Sequence, residues 1–125
     1  MNSDSKNPLH SFAEWTSGAD NQWSDLAIER ASNAFTDIIA VMIPGANEPV
    51  SKKVYSLAKS WGTGNCSAVG FDAGLSAPMA AMVNGTSAHA IDFDDNFDPA
   101  KAHATAVLAQ PFWLWRKIAA ATVRR

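Results

Sequence analysis

The sequence predicts an all-α domain, a bundle of four or five helices with at most a small β-hairpin. Two long stretches, Ile28 to Met42 and Val50 to Trp61, repeat apolar residues at threes and fours, the spacing of one helix face. Proline and glycine stand at their boundaries, Pro44-Gly45 after the first and Pro49 and Gly62 around the second, where helices start and stop. Gly62, Gly64, Gly70 and Gly74 crowd the segment that follows, and only Ala68, Val69 and Phe71 give it apolar character. That segment reads as a loop or a small hairpin.

Each element follows from its own residues. Met1 to Asn7 is a loose polar lead, and Pro8 to Thr16 a first short helix with Leu9, Phe12 and Trp15 on one side. In the second helix Ser24 is the expected N-cap and Asp25 sits in the first turn, where the helix dipole favours an acid. Its stripe is Ile28, Ala31, Phe35, Ile38, Ile39 and Met42. The third begins at Asn47 with Pro49 just inside and carries Val50, Val54, Leu57, Ala58 and Trp61 as a core stripe. Ser76 caps the fourth, with Pro78 in its first turn and Met79, Ala80, Met82 and Val83 as its apolar face. Gly85 is expected inside that helix, at a cost of about 1 kcal/mol, so that a neighbouring backbone can come close.

Composition sets the limits. The 125 residues, 47% of them hydrophobic, suffice for one compact domain. A net charge of −2 offers no basic surface to a nucleic acid. Cys66 is the single cysteine, so no internal disulfide forms; it is expected to pack, in a cytoplasmic protein. The apolar run Ile38 to Ile43 is far shorter than the ~18 residues that cross a bilayer, so no transmembrane segment is expected.

The chemistry gathers in Asn84 to His103, which holds Asp92, Asp94, Asp95, Asp98, His89 and His103 between stretches of small residues. If the helix runs on to Asp92, His89 and Asp92 share a face. A histidine at the entry to the next helix, as His103 would be, suits a group that takes a proton and returns it. Metal binding is not expected. His89 has no second histidine three or four residues away, there is no Cys pair, and no alternating Asp pattern ends in Glu.

Ser76-Ala77-Pro78, Asn84-Gly85-Thr86, Ala88-His89-Ala90, Asp92-Phe93-Asp94-Asp95 and His103 before Ala106-Val107-Leu108 resemble the amino-terminal helical domain of the MmgE/PrpD family. That family includes 2-methylcitrate dehydratase together with decarboxylases and epimerases. Upstream, Trp23-Ser24-Asp25-Leu26, Glu29-Arg30-Ala31 and Asp37-Ile38-Ile39 fit as well, so the resemblance covers roughly residues 9 to 108. It implies that this chain is part of a larger helical domain, that Asp92 and His103 are catalytic, and that the pocket takes a di- or tricarboxylate. His89 and Asn96 are then the substrate-binding residues, Asn96 standing where a threonine is usual. The implied chemistry removes a proton beside a carboxylate, followed by loss of water or carboxylate or by reprotonation. No cofactor and no metal are implied, and a homodimer is.

Charge repulsion divides the acids. A polycarboxylate would be repelled by four ionised aspartates, so Asp94, Asp95 and Asp98 are expected in turns and caps, leaving Asp92 for the chemistry. After Leu108 the resemblance stops. Residues 109–125, with Phe112, Trp113 and Trp115 ahead of Arg116 and Lys117, form an aromatic and basic tail unlike the family's next helix. The domain organisation is thus a lead over 1–7, a partial family domain over 8–108 and the tail. The expected product is a truncated chain, inactive alone. The competing reading is a non-catalytic remnant or interaction module that binds a full-length relative, or a membrane surface through its tail.

Overall fold

The computed structural model describes residues 7–20 and 22–110. Five helices carry the chain: α1 (Pro8–Gly18), α2 (Asp25–Gly45), α3 (Pro49–Trp61), α4 (Ala77–His89) and α5, described over 104–110. One short strand, β1 (Thr63–Cys66), and a single 3-10 turn (Asp98–Ala100) complete the elements among the described residues. The all-α expectation holds. Of the tail over 109–125, Ala109 and Gln110 continue α5, and 111–125 lie outside the described residues.

The chain divides into two compact units, residues 1–30 and 31–125. In the first, the Asn7 side chain accepts a hydrogen bond from Leu9 N at 3.0 Å and so caps α1. Phe12, Trp15 and Trp23 form a small aromatic group, yet all three side chains are more than half exposed or nearly so. Ser24 Oγ accepts from Ala27 N at 3.2 Å, which bears out the cap expected for α2.

In the second unit α4 is the central helix. Ala80 and Val83 enter one core with Ala58 of α3 and with Cys66, Ala68 and Leu75 of the glycine-rich segment. Ala88, further along α4, enters another with Ile38 and Met42 of α2 and with Ala106 and Ala109 of α5. The buried positions of α4, Ala80, Val83, Asn84, Ser87 and Ala88, recur at threes and fours on one face, and the small residues among them let both cores close against it. Gly85 sits inside α4 as expected, with Ala106 O of α5 4.0 Å from where a Cβ would stand. Cys66 is buried and free.

The two long stripes are only half buried. On α2 the carboxyl-terminal part, Ile38 and Met42, is inside, while Ile28 is 54% exposed. On α3 Ala58 is inside, but Val50, Leu57 and Trp61 remain substantially in solvent, so the core role expected of that stripe holds only in part. Glu48, rather than Asn47, is the N-cap of α3. The glycine-rich segment makes one strand whose Thr63 and Cys66 bridge to Leu75 antiparallel, and Gly64 N donates to Gly74 O at 3.3 Å.

Asn84 of α4 pins this segment. Its Oδ1 accepts from Val69 N at 2.8 Å and its Nδ2 donates to Ser67 O at 3.1 Å, with the residue 1% exposed. Asn84→Ala would leave both backbone groups without that partner, and the expected loss is about 2 kcal/mol. Urea unfolding measures it; a midpoint equal to wild type would show that water or a shifted loop satisfies them instead.

Candidate active site

The site starts where α4 stops. The helix ends at His89 with Ala90 as its C-cap, so it does not run on to Asp92, and the shared helical face expected for His89 and Asp92 does not exist. Asp92 instead turns the chain in the left-handed region, at φ 56°, a conformation that a short polar side chain tolerates better than most. Asp92 N still donates to His89 O at 3.2 Å.

The loop beyond returns the chain to the same place. Phe97 and Ala102 pair antiparallel, with Phe97 N donating to Ala102 O at 2.8 Å, and the 3-10 turn lies between them. Lys101 closes that turn at φ 50° and is paired with Asp98. Asp95 Oδ1 then accepts from Thr105 N at 3.1 Å in the first turn of α5. His103 is therefore held between the Ala102 bridge on one side and the helix start on the other. The capping and turn roles expected of Asp95 and Asp98 are found.

Asp94 departs from the role that repulsion suggested. Its side chain is 0% exposed, and its carboxylate takes His89 Nδ1 at 3.0 Å from Oδ1 and 3.2 Å from Oδ2. His103 Nδ1 lies 3.2 Å from the same Oδ2, at ion-pair distance but off the line of a hydrogen bond. The two imidazole rings tilt against each other with centroids 4.4 Å apart. Asp92 approaches from outside, its Oδ1 4.0 Å from His103 Nε2 with 79% of its side chain exposed. The structure thus brings His89, Asp92 and His103 together around Asp94. Asn96 is exposed on the loop and does not line the cleft described next.

A cleft of about 550 Å³ opens beside the two histidines, within the size range of small-molecule sites. Met82 and Thr86 of α4 and Val107 and Gln110 of α5 wall it together with His89 and His103. Thr86 Oγ1 donates to Met82 O at 2.8 Å. Neither lysine nor arginine lines the cleft among the described residues.

One donor atom from each of His89, Asp92, Asp94 and His103 lies within 4.8 Å of the others. Two imidazoles and two carboxylates form a donor set that divalent cations accept. Local spacing could not reveal this group, because His103 reaches His89 through the loop and not along one helix. Asp94 was likewise missed. The available signal was that it follows a helix-ending His89 between small residues, a position from which a carboxylate can fold back under an imidazole.

Comparison with known proteins identifies the family. The chain matches the MmgE/PrpD N-terminal domain over residues 10–113. It is 33% identical over 106 residues to cis-aconitate decarboxylase of Mus musculus, a match covering 82% of this chain and 22% of that protein. The chain thus spans about a fifth of the length of that relative. No solved structure matches it. With the motif from Asn84 to His103 folded into one histidine-lined cleft and the domain match covering most of its length, the chain belongs to the MmgE/PrpD family.

Proposed function

We propose that this chain contributes the acid–base wall of a carboxylate lyase, a dehydratase or decarboxylase acting on a di- or tricarboxylate. One observation carries the reading: a cleft of substrate size is faced by two histidines held on a buried carboxylate. His103 takes the proton from the carbon beside a substrate carboxylate, and the electron pair moves into that carboxylate as an enediolate. Hydroxide then leaves from the neighbouring carbon and takes a proton as water, or the proton returns to carbon. In decarboxylation the bond pair freed by departing carbon dioxide forms the new double bond while a protonated histidine gives its proton to the far alkene carbon. Asp92, beside His103 Nε2, acts with it, while His89 contacts the substrate from the cleft wall and Asn96 from the exposed loop outside the cleft lining. The mouse relative, named for decarboxylation of cis-aconitate, supports the substrate class.

The cleft also says what these residues do not supply. An enediolate and its carboxylates need positive charge, and electrostatic stabilisation of this kind is commonly the largest catalytic contribution. Lys101, the cation nearest in sequence, is held by Asp98, and no lysine or arginine faces the cleft among the described residues. The 125-residue chain alone is therefore expected to show no turnover of cis-aconitate or 2-methylcitrate. Joined to the remaining length of a family enzyme it is expected to turn one of them over. Family-level rates from the chain alone, or a folded joined protein silent toward both, would overturn the proposal. We further place the protein in the cytoplasm as a homodimer. None of the described helices is long and apolar enough to cross a membrane.

A second reading, an interaction module that binds a full-length relative, draws on Val50, Leu57 and Trp61, which leave one side of α3 in solvent. Co-purification of the chain with a full-length relative, lost on Trp61→Glu, would favour it. Its variant in which the tail meets a membrane falls on residues outside the described ones.

A further inference from the structure

We propose that Asp94 is the positioning residue of this site: from beneath the cleft wall it fixes the tautomer of both imidazoles, so that His89 and His103 each present an unprotonated Nε2 to the substrate. The inference rests on the acid–base reading above and specifies what the buried carboxylate does to the two rings.

An ionised Asp94 only accepts hydrogen bonds, so a ring nitrogen that meets it has to carry a proton. Both nitrogens that meet it are Nδ1, at 3.0 Å from His89 and 3.2 Å from His103. A neutral imidazole has one N–H, so a proton on Nδ1 leaves Nε2 with its lone pair. Nε2 lies across each ring from Asp94, and both rings line the cleft.

Burial makes the constraint strong. With its side chain 0% exposed, Asp94 cannot satisfy its oxygens with bulk water, and among the described residues its partners are the two imidazoles. The two rings are held unequally. His89 is bonded to both oxygens, whereas His103 sits at a comparable distance without alignment, so its ring keeps freedom to tilt toward a substrate. A residue that must take a proton from carbon and hand it back needs that small adjustment.

Asn at this position sharpens the test, because an amide presents one acceptor and one donor group where the carboxylate presents two acceptors. Whichever way the amide turns, its NH2 group faces a ring nitrogen, His89 Nδ1 from the Oδ1 position at 3.0 Å or His103 Nδ1 from the Oδ2 position at 3.2 Å, so that ring is driven to offer a lone pair there and carry its proton on Nε2. The experiment is long-range nitrogen–proton correlation NMR of the histidine side chains in the 125-residue chain, at a pH where the same spectra show both rings neutral. Wild type is expected to show His89 and His103 both protonated on Nδ1. In Asp94→Asn at least one of the two should switch to the Nε2–H form, with His10 unchanged as the internal reference.

An Nε2–H signature for either ring in wild type overturns the proposal, and that measurement needs no variant to fold. Unchanged tautomers in a folded Asp94→Asn protein also overturn it. Zinc added in slight excess should leave the Nδ1 signals in place; capture of both Nδ1 atoms by zinc would assign the cluster to a metal and overturn it too. None of these readouts uses turnover. The expected tautomers in a protein whose joined form stays silent would therefore sink the lyase reading and leave Asp94 its role.

Discussion

Replacing His103 by alanine is expected to lower kcat by about 100-fold or more in the protein formed by joining this chain to the remaining length of a family enzyme, with a much smaller change in KM. Positioned acid–base groups typically contribute about 100-fold to 10,000-fold, and they do so in the transition state, so their removal falls on kcat. His103 fits that role by placement. Its ring lines the cleft, its Nδ1 is backed by Asp94, its Nε2 lies 4.0 Å from Asp92 Oδ1, and it is held between the Ala102 bridge and the start of α5. Asp98→Asn provides the contrast. Asp98 is 75% exposed at its side chain and, among the described residues, pairs with Lys101, so its loss should change turnover by less than about threefold. Steady-state kinetics on cis-aconitate decides. Equal effects of the two substitutions, or a silent His103→Ala, would mean that the proton is carried elsewhere.

Gly45→Ala is expected to be the most destabilising single-methyl change in the fold. In an ordinary helix the exchange would help by about 1 kcal/mol. Here a Cβ on Gly45 would stand 1.9 Å from Ser87 O, with Ser87 C at 3.0 Å. Both are backbone atoms of α4, so no side chain can swing aside and the end of α2 has to move from the helix it crosses. Overpacking a core commonly costs about 1–3 kcal/mol, and a clash with backbone belongs at or above the upper end. Against a net stability of about 5–15 kcal/mol, that loss is visible as a marked drop in the urea midpoint. Ser87 also precedes Ala88 and His89, so the same displacement shifts the ring bonded to Asp94. A variant as stable as wild type would show that α2 and α4 can separate without loss.

Much of this protein was legible in its residues, and the reason is that helices are local. The apolar spacing and the Pro and Gly boundaries identified α1 to α4 because 3.6-residue periodicity and end signals are written within each segment. Ser24 was recognisable as a cap for the same reason. The motif from Asn84 to Asp95, with His103 beyond it, sufficed to name the family.

What the sequence did not determine is how the acids divide. Four aspartates close in sequence look alike to an argument from charge, and repulsion alone sent Asp94 outward with Asp95 and Asp98. Only the tertiary structure could reverse this for Asp94, because burial depends on the end of α4 at His89, the left-handed turn at Asp92 and the bridge that returns the chain at Ala102. Those features place two imidazoles from different elements over one carboxylate, so the carboxylate can go inside because partners wait for it there. The contact between Gly45 and Ser87 belongs with it. A pair of residues on different helices leaves no periodic trace, and the distance between their backbones exists only once both helices have packed.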